Sequence, residues 1–237
     1  MNVGKIVART AAKTALCILL LLILTFAVTA LVWPMALGDL GAKWNISFLA
    51  TTFTARGYDY SGDINDLGLT VERAVQYGDD RMIVLYGTAL TEEEAFGDFA
   101  DFKDGQLQTG IRSDYRSYVN GNIARAHFRQ GRPDEAVTAA REGVALTGYV
   151  RNCALSYLVG ELTDRSDPTL AEREAVRLAL DDYFSEFATA YGEDPSEQNR
   201  EAYLNVCLDY YSYFKYMDDA AGMARMEEIY EQLTAES

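Results

Sequence analysis

Asn120–Leu146 reads NGNIARAHFRQGRPDEAVTAAREGVAL, and its spacing decides the fold. Ala124-x2-His127-x3-Gly131-x4-Ala136-x3-Ala140-x2-Gly143 sets small residues at helical intervals on both sides of a glycine. Small side chains let two helices approach closely, and glycine permits the sharp turn between them. Pro133 stands where the second helix would start, a position whose N–H has no intrahelical partner to lose. The same intervals occur in Ala55-x2-Tyr58-x3-Gly62-x4-Leu67-x3-Val71-x2-Ala74, 69 residues earlier. That offset is about two units of 34 residues. Halfway, Ala89 falls on the period, while the expected glycine comes one residue late as Gly97.

On these residues, the chain over roughly 45–147 resembles the tetratricopeptide-repeat family. Ala124, Gly131 and Ala136 match the family's small-residue and turn positions, as do Ala55, Gly62 and Ala74 in the weaker copy. No Trp opens either pair, Gly143 replaces the usual late Ala, and the closing Pro is missing. The resemblance implies stacked αα-hairpins that bind peptides or other proteins, a scaffold rather than a catalyst.

Further out, the signals remain helical. Helices are expected near 42–57, 64–77, 80–90, 92–102, 112–130, 133–147, 149–164, 168–191, 196–216 and 219–235. Pro168 and Pro195, like Pro133, are read as helix starts, and Thr91-x-x-Glu94, Thr169-x-x-Glu172 and Asp194-x-x-Glu197 have capping-box or related spacing. Val176, Leu180, Tyr183, Phe184, Phe187 and Tyr191 share one helix face. Tyr203, Cys207, Tyr210, Phe214 and Met217 share another. Met82–Tyr86 is the sole strand candidate and is short enough to be a buried helical turn.

The other organising segment is Thr14–Trp33, TALCILLLLILTFAVTALVW, 20 residues without a charge. A helix of that length covers about 30 Å, the thickness of a bilayer's hydrocarbon core. Lys5, Arg9 and Lys13 precede it, so the positive-inside rule leaves the N-terminus cytoplasmic and exports the rest. Trp33 and Trp44 suit the headgroup region on the exit side, and Pro34 suits the end of the spanning helix. The alternative is a secretory signal cleaved after Ala30, which would release the protein. The expected layout is a cytoplasmic basic segment at 1–13, an anchor at 14–37 and an extracytoplasmic helical-repeat domain at 38–237, with degenerate repeats over 42–147 and longer helices over 149–235. The fold class is all-α: a transmembrane helix followed by a tetratricopeptide-like αα-hairpin solenoid.

The chain has 21 basic and 36 acidic residues. Setting aside the three basic residues before the span leaves 18 against 36, a net charge of −18 on residues 39–237. Nucleic acid is therefore excluded as the expected partner, since binding a polyanion requires basic patches. A single histidine, His127, cannot form HExxH, and there is no GxxxxGK loop, GxGxxG turn or CxxC pair. Asp59–Thr70 superficially matches a calcium loop but has Ile64 where glycine is needed and Thr70 where glutamate is needed; a helix–helix turn capped by Asp63 explains it better. Cys153 and Cys207 fall in apolar helical patterns, as core residues or a disulfide of the exported part. Thr91–Asp104, TEEEAFGDFADFKD, combines acids with a stripe of Phe96, Phe99 and Phe102, read as a helix packed by its Phe face or as an acidic patch for a basic partner. Among Tyr210, Tyr211, Tyr213 and Tyr216, Tyr210 belongs to the core stripe and Tyr213 is expected to point elsewhere.

No catalytic, cofactor-binding or metal-binding residue is assigned, and no cofactor is expected. The expected function is binding of a protein or peptide, basic if charge guides recognition, by a membrane-anchored scaffold without enzymatic activity. The alternatives are a structural subunit of a membrane complex and a carboxylate-based hydrolase of envelope polymer, the latter requiring two convergent buried carboxylates in a cleft.

Overall fold

The computed structural model describes residues 3–110, 115–147 and 153–235, with side chains over 10–110, 115–144 and 154–235. They are overwhelmingly helical and fall into two compact units, Met1–Arg73 and Ala74–Ser237. The first unit holds α1 (Val3–Val32), α2 (Pro34–Lys43), α3 (Ser47–Ser61) and most of α4 (Ile64–Tyr77). The second continues with α5 (Asp80–Thr91), β1 (Phe99–Lys103), β2 (Gln106–Thr109), α6 (Tyr115–Arg129), α7 (Pro133–Thr147), α8 (Cys153–Thr163), α9 (Leu170–Glu193), α10 (Glu197–Tyr216) and α11 (Ala220–Ala235).

α1 contains an apolar run, Thr10–Val32, long enough to cross a membrane, and its side chains up to Val28 are exposed. It stops at Val32, one residue before Trp33, and Pro34 opens α2 at the first helical position. No periodicity in residues 34–43 is strong enough to announce α2, and the helix expected over 42–57 is instead split between the end of α2 and α3. The two form a tight antiparallel hairpin because α2 presents glycine toward α3. A Cβ on Gly41 would collide with the Ala50 backbone, and one on Gly38 would lie 2.5 Å from the Thr54 hydroxyl. Ala30 of α1, Leu37 of α2 and Phe53 of α3 form a small core with Leu49 against it. From α4, Arg73 lies under this hairpin, donating to Thr54 Oγ1 and pairing with Asp39 at 2.5 Å.

In the second unit α6 is the hub. Val119–Ala124, Ala126 and Phe128 are all buried, because α5, α7, α8 and β1 pack around this one helix. Glycine again sets the spacing: a Cβ on Gly143 of α7 would lie 2.7 Å from Ala154 and 2.8 Å from Asn120. Gly131, at the α6–α7 turn, has φ of 72°, and Gly62, at the corresponding α3–α4 turn, has φ of 61°. Both turn glycines identified by spacing therefore occupy left-handed backbone, where a Cβ is unfavourable. The third does not: Gly97 lies beyond α5, and the left-handed turn between α4 and α5 is at Gly78.

The helix expected over 92–102 is absent. Glu94–Asp98 form a short 3-10 turn, followed by the antiparallel β1–β2 hairpin with Lys103 opposite Gln106. Phe96 and Phe99 are buried and Phe102 partly so, so the apolar stripe is real but not α-helical. Asp104 and Gly105 have φ of 52° and 77°, the backbone of a two-residue I′ turn. Met82–Tyr86 lies inside α5, as a helical turn.

α9 and α10 pack through aromatics. Tyr210 stacks on Phe214 at 4.7 Å, and Phe184 of α9 meets Tyr203 and Tyr210 of α10 edge-on at 5.3 and 5.8 Å. Tyr213 is buried with Tyr210 rather than pointing elsewhere, and its hydroxyl donates to the Arg173 carbonyl. Met217, placed in the same stripe, is exposed. Thr169 and Glu172 form a full reciprocal capping box. Pro168 and Pro195 fall one residue before the capping residues Thr169 and Ser196, so they precede their helices instead of opening them. The Thr91-x-x-Glu94 box is not made; the Thr91 hydroxyl donates to the Thr88 carbonyl. The helix starts expected at 112 and 149 lie outside the described residues.

Candidate functional site

A groove of about 340 Å³ is contributed by α5, α6 and α7. Each helix supplies one face. Thr88 and Thr91 are three apart on α5; Asn120, Ile123 and His127 follow one side of α6; and Glu135, Thr138 and Glu142 follow one side of α7. Ile123 and Ala139 give an apolar floor. Asp134, Glu135 and Glu142 give it three carboxylates, and no lysine or arginine is among the described residues lining it. His127 Nδ1 is buried and has no hydrogen-bond partner among the described residues. Burial, aided by the nearby Arg132 charge and opposed by Glu135, lowers the pKa of this imidazole and so favours its neutral form. The arrangement offers acceptors and negative charge over a narrow apolar strip. That suits an extended cationic segment better than a compact anion.

A second cleft, about 310 Å³, lies between α10 and α11 and is bordered by Cys207, Leu208, Tyr211, Met226 and Tyr230. Cys207 is a free thiol, pushed up to about 12 by burial and therefore protonated and poorly nucleophilic. The side chain of Cys153, its proposed disulfide partner, lies outside the described residues.

Among the described residues of the second unit three acids are buried, and each is engaged separately. Glu161 of α8 accepts from Arg125 at 3.3 Å and Arg129 at 2.8 Å. Arg129 also reaches Asp80 of α5 at 3.3 Å, so one cluster ties α5, α6 and α8 together. Desolvation outweighs the Arg129 charge at Asp80 and raises its pKa. Glu172 joins the α9 cap to Arg165, whose guanidinium lies 4.5 Å over the Phe128 ring. Asp209 of α10 accepts from the Ser156 hydroxyl of α8 at 3.0 Å. None of these three lines the groove or the α10–α11 cleft.

Of the residues singled out from sequence, the fold brings His127 and Thr91 into the groove. The acids of Thr91–Asp104 are not among those lining it; Glu92, Glu93 and Glu94 are exposed beside the β-hairpin. Asp63 accepts from the Asn65 N–H at 2.7 Å, as expected of a turn cap. The groove acids themselves were missed. Their one available signal was the i, i+3, i+7 spacing of Glu135, Thr138 and Glu142 opposite the small-residue stripe of the same helix. No family model, curated protein or solved structure matches the chain.

Proposed function

We propose that this chain is a membrane-anchored, extracytoplasmic helical-repeat scaffold whose α5–α6–α7 groove receives a basic segment of a protein partner. The observation that carries this reading is the groove itself, with three carboxylates and His127 over an apolar floor. The repeat reading is supported by left-handed Gly62 and Gly131 and by complete burial of Ala74, Ala124, Ala136 and Ala140 at the small-residue positions. The anchor reading is supported by the length and exposed apolar surface of α1, and the topology by Lys5, Arg9 and Lys13 before it. On this reading the groove works by equilibrium binding, without turnover of the partner.

The test is titration of the full chain in lipid nanodiscs with Lys/Arg-rich and Glu-rich peptides of equal length. The basic peptide binds and the acidic one does not. Glu135→Gln with Glu142→Gln weakens binding about tenfold, the sum of two partly exposed charge pairs, and reduces its dependence on salt. Equal affinity of the double variant and the parent for the basic peptide would remove the groove from the reading.

A further inference from the structure

We infer that the α2–α3 hairpin is a membrane-seated platform, with its uncharged edge from Trp44 to Phe53 lying in the interface of the bilayer that α1 crosses. The inference rests on the proposed retention of α1 as a spanning helix and concerns a different surface from the groove.

Three independent observations lead to it. The first is apolar surface left open on the hairpin and just before it: Trp33 is 66% exposed, Phe48 65%, Trp44 61%, and Ile46 also lies open. The second is the level at which the hairpin meets α1. Phe53 of α3 packs edge-on to Phe26 of α1 at 5.8 Å, and Phe48 packs edge-on to Phe53 at 6.3 Å. Phe26 lies six residues before the end of α1, about 9 Å along the helix. Were the hairpin wholly in water, the hydrocarbon would have to end near Phe26. Thr14 to Phe26 would then offer about 20 Å of apolar helix to a core about 30 Å thick. With the full Thr14–Trp33 span used, the Phe48–Phe53 side of α3 falls about 9 Å below the top of the span, within the ~5–10 Å reached by interfacial helices.

The third observation is charge. Trp44 to Ala55 contains no ionisable side chain, and the charges of the hairpin stand outside that stretch at Asp39, Lys43, Arg56 and Asp59. Of these, Asp39 is neutralised by Arg73 at 2.5 Å, and Lys43 is at the end of α2, where a long side chain can extend toward headgroups. The chain thus keeps charge out of the part of the hairpin that lies beside the last turns of α1. Tryptophan, whose ring is apolar and whose N–H seeks water, flanks that part at Trp33 and Trp44.

Trp33 and Trp44 are the only tryptophans in the sequence, so the experiment can use intrinsic fluorescence of the full chain. Trp33→Phe leaves Trp44 as the sole reporter, and Trp44→Phe leaves Trp33. Each variant is reconstituted in vesicles whose lipids carry a nitroxide either near the headgroup or near the acyl-chain end. Resistance to alkaline carbonate extraction reports insertion of α1 separately. The expected result is a carbonate-resistant protein whose Trp44 emission is blue-shifted and is quenched more by the shallow label than by the deep one, with loss of quenching by aqueous iodide. A carbonate-resistant protein whose Trp44 is quenched by iodide and not by labelled lipid would overturn the platform while leaving the anchor intact. Shielding of Trp44 from both quenchers would overturn it in favour of coverage by protein, such as a second copy. Extraction by carbonate would remove the anchor and the platform together.

Discussion

Asp209 is a buried carboxyl on α10, and its consequence for stability has a definite sign. Burial pushes its carboxyl up to about 7, against a smaller opposing effect of the Ser156 hydroxyl. An unfolded aspartate ionises near 3.9, so between that pH and about 7 the folded chain binds more protons than the unfolded one. Its contribution to stability is therefore present in full below the unfolded value and is lost as pH rises through the folded value. At ~1.4 kcal/mol for each pH unit between those two values, the loss has an upper bound of roughly 4 kcal/mol. Asp209→Asn keeps an acceptor for Ser156 and removes the charge. It is expected to raise the denaturation midpoint at pH 8 and to flatten the stability profile between pH 4 and 7. A parent profile already flat over that interval would refute this account of Asp209. Cys207, on the same helix, should resist thiol reagents at pH 8 until the protein is denatured, when modification becomes fast; native-state labelling at the denatured rate would contradict its burial.

Two glycines illustrate how helices in this chain are held, and they fail for different reasons when replaced. Gly131→Ala puts a Cβ into left-handed backbone with open space around it, so the cost is conformational, about 1 kcal/mol. Gly41→Ala meets the Ala50 backbone, which cannot move aside without separating α2 from α3, so it is expected to cost more than Gly131→Ala in a thermal melt of the full chain in detergent. The reverse ranking would mean that the hairpin is looser than its glycine contacts indicate. α4 and α7 were legible to the residue, because in each the helical stripe agrees with the turn glycine before it, and in α7 with Pro133 as well. Residues 92–102 were not. Phe96, Phe99 and Phe102 recur every three residues, which α, 3-10 and irregular backbone all bury equally well. The deciding signal was Asp104-Gly105 between two short runs, an I′ hairpin signature that the helical reading leaves unused. The groove was illegible for another reason: Thr91, His127 and Glu142 stand on three helices and come to line one hollow through packing around α6, which no spacing within a single helix encodes.

For the molecule as a whole, residues 39–237 carry a net charge of −18. Anionic headgroups therefore repel most of the chain, while the Trp44–Phe53 edge is free of charge. On the proposed topology, protease added to intact cells, or to spheroplasts if an outer membrane is present, reaches the domain beyond Asp39; full protection until lysis would reverse the orientation. The β1–β2 turn supplies a finer probe. Asp104 and Gly105 are exposed, and the pairing of Lys103 with Gln106 closes the strands on either side of them. A loop lengthened there costs only a logarithmic increment of closure entropy. An epitope with a protease-recognition sequence inserted between Asp104 and Gly105 would thus be carried by a folded protein, and its cleavage would yield two fragments of known size. On that topology, the turn that replaced an expected helix would double as an address label, readable from only one side of the membrane.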